Sequence, residues 1–146
     1  MFTEIEQQTL DIDWFFLNKK HICFVASGGG KLPLSIAESS LDNATLVTYF
    51  RNLDDECDII INPNLDENLS NEKYLSDFIH MSKKGLYAFD KTILNDFSDT
   101  NYHLVTTPLI PLTLNELPEN IQDILRKTNY IENLDNINNI DISVIS

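Results

Sequence analysis

The stretch DIDWFFLNKKHICFVASGGGKLP, residues 11–33, decides how the fold is read. It holds the only Trp, one of the two Cys and three of the four Gly. Residues 11–17 alternate. Ile12, Trp14 and Phe16 share one face, and Asp11, Asp13 and Phe15 share the other. A period of two with aromatic enrichment predicts a strand. Asn18-Lys19-Lys20 forms a polar turn, and residues 21–26 alternate again, with Ile22, Phe24 and Ala26 facing one way. The spacing therefore predicts a β-hairpin. Ser27-Gly28-Gly29-Gly30-Lys31 follows it, and these five residues either cradle an anion or let the chain leave a sheet.

Outward from the hairpin, Pro33 is expected to open a short helix through Ser40, since its missing N–H costs nothing in a first turn. Asp42 or Asn43 is expected to cap a second helix to about Leu53, with Leu46, Tyr49, Phe50 and Leu53 as its apolar stripe. Residues 58–62 read as a short strand bounded by Pro63. Ser70 then caps a stronger helix with Glu72 in its first turn. Tyr74, Leu75, Phe78, Ile79 and Ser82 line one face, and Lys83-Lys84-Gly85 is a C-terminal signature. Residues 86–90 and 102–107 read as strands. TLNELPENIQDILRKT, residues 113–128, reads as a helix, and residues 141–145 as a last strand. Asn-rich stretches such as residues 133–139 follow the composition of the whole chain. Strands do not alternate strictly with helices. The expected fold is α+β: an antiparallel or mixed β-sheet starting with an N-terminal hairpin, covered by three to four helices, in one domain over residues 1–146.

The chain has 146 residues, 42% of them hydrophobic and 10% aromatic, enough for an ordinary core. No apolar run approaches the ~20 residues that span a bilayer. The acidic, polar start MFTEIEQQTL resembles neither a secretory signal nor a transit peptide, so a cytoplasmic location is expected. Cys23 and Cys57 are expected to be free thiols there. The formal charge is -13, which argues against nucleic acid or an anionic membrane as a direct partner. The acids are concentrated. Glu38, Asp42, Asp54, Asp55, Glu56, Asp58, Asp66, Glu67 and Glu72 lie in one span with Arg51 as its only base. Such a span is either a solvated face or a surface for a basic protein partner.

No motif specifies a reaction. A Walker A loop needs Gly at the position of Val25 and Ser or Thr at the position of Leu32. A dinucleotide fingerprint needs a third Gly where Pro33 stands. A pyrophosphatase-type loop needs Asp-Ser where Lys31-Leu32 stand. His21, His80 and His103 have no Cys or acid at metal-ligand spacing. No Gly-x-Ser-x-Gly elbow occurs. Asp11 and Asp13 share a strand face and are expected on its wet side. No catalytic residue, cofactor or metal is expected.

Asp13-Trp14-Phe15, residues 22–26, Ser27-Gly28-Gly29, Pro33 and Tyr49-Phe50 together resemble small bacterial immunity-type proteins encoded beside polymorphic toxins. The resemblance covers residues 11–53. Where that group often carries Asp-x-x-Gly in the hairpin turn, this chain has Asn18-Lys19-Lys20-His21. It implies inhibition by stoichiometric binding of a basic partner such as a toxin domain. The acidic residues Glu38, Asp42, Asp54, Asp55, Glu56, Asp58, Asp66 and Glu67 would then meet the basic cleft, with Tyr49, Arg51, Tyr74 and Tyr87 as anchors if exposed. Two alternatives stand beside it. One is a small-ligand or anion-binding protein or enzyme using Ser27, Gly28, Gly29, Gly30 and Lys31. The other is a structural, homo-oligomeric domain.

Overall fold

The hairpin forms as the alternation predicts. In the computed structural model, which describes residues 1–66, 69, 71–132 and 139–145, β1 (Asp13–Asn18) pairs antiparallel with β2 (His21–Ala26). Asn18 lies opposite His21, and Lys19 makes the tight turn at φ 55°. An N-terminal helix α1 (Glu4–Thr9), not anticipated from the pattern, is set by a capping box between Thr3 and Glu6.

The remaining elements are α2 (Leu34–Ala37), α3 (Ser40–Arg51), β3 (Ile59–Ile61), α4 (Glu72–Lys83), β4 (Tyr87–Lys91), β5 (Asn101–Pro108), α5 (Glu119–Leu125) and β6 (Asn139–Asp141). They build a mixed sheet in the order β1-β2-β4-β5-β3, with β6 sharing the β3 edge of β5. The β2–β4 pair is parallel and every other pair is antiparallel. A parallel neighbour requires a long crossover. The chain supplies one in residues 27–86, which carry α2, α3, β3 and α4.

Both sheet faces are covered. On one side Phe15, Leu17, Ile22, Phe24 and Ala88 meet Leu46 and Phe50 of α3, Phe78 and Met81 of α4, and Leu125 of α5. The rings of Phe15 and Phe50 lie 4.8 Å apart. On the other side Trp14, Phe16, Val25, Phe89 and Tyr102 meet Ile36 of α2 and Tyr130, Ile140 and Ile142 of the C-terminal segment. Each such large side chain contributes roughly 1.5–3 kcal/mol on burial. Asp11 is exposed and Asp13 partly so, as expected of the wet side, but the rest of that face is covered: Phe15 is as buried as Trp14.

Several boundaries differ from the sequence pattern for identifiable reasons. Helix α3 starts at Ser40, ahead of the expected Asp42 or Asn43 cap. Asn43 is buried and its side chain donates to Asp13 O at 2.9 Å, tying α3 to β1. The first helix stops at Ala37 and not Ser40. The side chain of Asn71 caps α4 by accepting from Tyr74 N, while the expected cap Ser70 lies outside the described residues. Pro118 divides the expected helix of residues 113–128 into a 3₁₀ turn, Leu114–Glu116, and α5. The last strand is Asn139–Asp141, and residues 142–144 turn instead of extending it. Most of the Asn-rich stretch, residues 133–138, lies outside the described residues.

The sheet edges differ. The outer side of β1 is taken by the chain after α5. Leu17 N donates to Thr128 O at 2.8 Å and Tyr130 N to Leu17 O at 2.9 Å. Asn18 Nδ2 donates to the carbonyls of Tyr130 and Glu132. Between β3 and β6, Asn62 continues the pairing along β5: its N donates to Val105 O at 2.9 Å and its Nδ2 to Leu104 O at 2.8 Å. Among the described residues no backbone group bonds the outer side of β3. No helix among them is long and apolar enough to cross a membrane.

Candidate functional site

The glycine-rich loop turns its polar groups into the protein. Ser27 is fully buried; its Oγ accepts from Ile12 N at 2.7 Å and its N donates to Ile12 O at 3.0 Å. Gly28 N donates to Asp11 Oδ1 at 3.0 Å, Gly30 N to Ser27 O at 2.8 Å and Lys31 N to Phe97 O at 3.3 Å. Tyr102 Oη donates to Ser27 O at 3.2 Å. The glycines are needed for space as well as for shape. Gly28 has φ +52°, and a Cβ there meets Lys91 Cβ at 2.8 Å. A Cβ on Gly30 meets Lys91 Cε at 2.7 Å and Tyr102 Oη at 2.8 Å. The Lys91 side chain is wholly buried beneath the loop. Its Nζ bonds the carbonyl and, at 3.1 Å, the carboxylate of Asp99, and it lies 5.5 Å over the Tyr102 ring. Among the loop side chains, that of Lys31 alone reaches solvent as a charge.

Asp11 and Asp13 serve different partners. Asp11 accepts from Gly28, whereas Asp13 pairs with the Arg51 guanidinium, which also bonds Asp77. Burial pushes the Asp13 carboxyl above its ordinary range against the pull of Arg51.

The acidic span divides. Asp42 sits 3.1 Å from Lys127 Nζ beside exposed Glu38. Asp55 lies 2.9 Å from Lys84 Nζ and 2.9 Å from His80 Nδ1. Partial burial raises its pKa, but those two bonds outweigh it and hold the carboxyl below its ordinary range. Asp54, Glu56 and Asp58 are exposed, with no ion pair among the described residues. Asp66 is exposed further along, and Glu67 lies outside the described residues.

An apolar patch adjoins this second group. Ile60 is 50% exposed, Leu109 53% and Ile110 70%; Ile61, 41% exposed, lies on the opposite face of β3. Leu109 N donates to Asp58 O at 2.9 Å, and Glu56 and Ile110 line the same hollow of about 120 Å³, together with Lys83 and with Lys84, which is paired to Asp55. The β3–β5 register places Asp58, Ile60, Thr107 and Leu109 on one face. The patch was not anticipated. The only signal for it was the run of three isoleucines ending at Asn62-Pro63, which reads equally well as a core strand.

The expected anchors are largely engaged within the fold. Arg51 is held by Asp13 and Asp77 and lies 5.6 Å over the Phe24 ring. Tyr74 donates to Asp90. Tyr87 packs 5.5 Å from His21. Tyr49 is half-buried edge-on to Phe50 and lines an open groove of about 670 Å³ between α3 and α5.

A further polar cluster is formed by Tyr74, Asp90, Thr92 and His103. The buried Asp90 carboxylate accepts from the Tyr74 hydroxyl and from Lys91 N. His103 Nδ1 lies 3.2 Å from Thr92 Oγ1 and Nε2 lies 3.4 Å from Tyr74 Oη. Burial pushes Asp90 up and His103 down, which favours the neutral form of each. Tyr74 is raised by burial and by Asp90 beside it. The imidazole borders a cavity of about 370 Å³ with Asn62, Asp66, Thr92 and Leu104. Among the described residues no group of three or more His, Cys, Asp or Glu is placed to hold a metal ion.

No protein family matches the sequence, and neither a curated protein nor a solved structure matches it significantly.

Proposed function

We propose that this protein works by stoichiometric binding of a basic protein partner in the cytoplasm and not by catalysis. The observation that carries this proposal is the adjacency of exposed Asp54, Glu56 and Asp58, with no ion pair among the described residues, to exposed Ile60, Leu109 and Ile110. An apolar centre rimmed by charge is the usual anatomy of a protein interface. A net charge of -13 steers a basic partner toward it. The resemblance over residues 11–53 makes a bacterial toxin domain with a basic cleft the kind of partner proposed. Free Cys23 and Cys57 suit a reducing compartment. The rival ligand role for Ser27–Lys31 is not favoured, because the amides of Ser27, Gly28, Gly30 and Lys31 already have partners. Self-association through the exposed isoleucines is a second reading, opposed by the like charge of two copies.

The test is a pull-down with the full chain as bait at low and high salt. A basic partner captured near one-to-one, and released as salt rises, is the expected result. The combined Asp54→Asn, Glu56→Gln, Asp58→Asn variant should then lower the association rate roughly 10-fold or more, while Lys31→Ala leaves it unchanged. No protein partner at either salt overturns the proposal.

A further inference from the structure

We infer that the open edge of β3 is where such a partner docks, by adding an extended segment bearing Lys or Arg as one more strand of the sheet. This rests on the basic-partner proposal and specifies its geometry. In an antiparallel pair, successive residues point their backbone groups to alternate sides. Asn62 N donates to Val105 O and Asp58 O accepts from Leu109 N, so residues 58, 60 and 62 face β5. The N–H and C=O of Ile59 and Ile61 therefore point outward, where no described backbone group meets them. An unpaired row of this kind is a template for another strand.

The side chains support the same mode. Ile60 lies on the face of Thr107 and Leu109, and Ile61 lies on the face of Thr106. Both are about half exposed because the covering layers end at this strand. An incoming strand thus finds apolar contact on either face. Asp58 stands immediately before β3, with Glu56 and Asp54 behind it. The complement to that end of the edge is a cation. A second copy fits worse. Pairing β3 with β3 about a two-fold centred on Ile60 brings each copy's loop of Asp54, Glu56 and Asp58 toward the other's Asp66, adding like charge to a chain already at -13.

The experiment uses the full chain and two synthetic probes. One is the end-capped peptide Lys-Ile-Lys-Val-Lys-Ile-Lys; the other is the same peptide with every backbone amide N-methylated, which keeps charge and side chains but cannot donate to a ladder. Amide exchange and chemical shifts of Ile59 and Ile61 are followed by NMR. The expected result is binding of the first peptide, at least tenfold slower exchange at Ile59 and Ile61, and at least tenfold weaker binding of the methylated one. Ile61→Pro, which removes an outward N–H, should weaken the first peptide to the same degree while exchange at Asn62 stays slow. Equal binding of both peptides overturns strand addition and leaves the charge-based proposal standing. Binding of neither overturns strand addition, while the pull-down decides the broader proposal separately. A dimer in sedimentation that Ile61→Pro dissociates assigns the edge to a second copy and overturns the basic-segment inference.

Discussion

The loop Ser27–Lys31, which follows β2, and the strand Ile59–Ile61, at the far edge of the same sheet, are both short. Their roles are the reverse of what their composition suggests. The loop has the glycines, the serine and the lysine of an anion site. In the folded chain its amides bond Ile12, Asp11, Ser27 and Phe97, and the space under it is filled by Lys91 and Tyr102. The strand has only isoleucines, the residues of a core, yet it leaves two side chains half exposed and one side of its backbone unbonded among the described residues. A polar segment is a candidate site only if its polar groups remain unsatisfied after folding. An apolar segment becomes one where the sheet runs out of neighbours.

The largest expected effect tests whether the loop is as closed as the geometry makes it. Gly28→Ala places a Cβ 2.8 Å from Lys91 Cβ at a φ of +52°. Left-handed strain and overpacking together should cost about 2–4 kcal/mol, read as a lower urea midpoint at unchanged slope. A loss below about 0.5 kcal/mol would mean the loop moves freely off Lys91, and the contrast with β3 would fail.

Next in size, Asn62→Ala removes the side-chain bonds to Leu104 O of β5 and from Asn64 N, and takes from Leu104 O its side-chain partner among the described residues. A cost of about 1–3 kcal/mol is expected, with faster exchange at the β3–β5 ladder. A neutral result would mean that the backbone ladder to β5 holds the β3 end without the Asn62 side chain.

A smaller effect concerns pH at the Tyr74–Asp90–His103 cluster. Burial lowers the folded pKa of His103 below its ordinary 6.5. The unfolded chain then binds more protons in the window between the two values. The contribution of His103 to stability is therefore full above pH 6.5 and is lost as pH falls through that window. His103→Gln should flatten the stability–pH curve there, measured by urea unfolding across a pH series. An unchanged curve would show that the imidazole is solvated. Asp90 has the opposite sign. Its raised pKa makes its contribution greatest below the ordinary 3.8 and lost as pH rises above it, so Asp90→Asn removes a decline on that acid side.

The smallest effect is expected where the molecule is open. Ile60→Thr should change stability by less than about 0.5 kcal/mol, because half of the side chain is already in water. A cost above about 1 kcal/mol would place Ile60 in the core and remove the apolar centre of the proposed interface.

Much of the framework was legible locally. Alternation over residues 11–26 specified β1, the turn and β2, because a period of two is a property of neighbouring side chains. The stripe of Leu75, Phe78 and Ser82 specified α4 in the same way. Concentration of acid from Glu38 onward was visible from composition. Its division into Asp42 and Asp55, which are paired, and Asp54, Glu56 and Asp58, which have no ion pair among the described residues, was not, since Lys127 and Lys84 come from other parts of the chain.

By itself, then, the sequence determined the hairpin, the main helices, the mixed α and β content and the sign of the surface charge. The elements follow from residues within a turn or two of each other, and the charge from composition alone. Only the tertiary structure decided which faces were covered, which glycines were crowded and which strand edge stayed open. Those outcomes depend on distant partners: Asn18 on Tyr130, Ser27 on Tyr102, Gly28 on Lys91, Asn62 on Leu104. Hydrogen bonds and steric exclusion act over a few ångströms in space whatever the separation along the chain. No local pattern can record whether a polar group or an isoleucine will find a neighbour there.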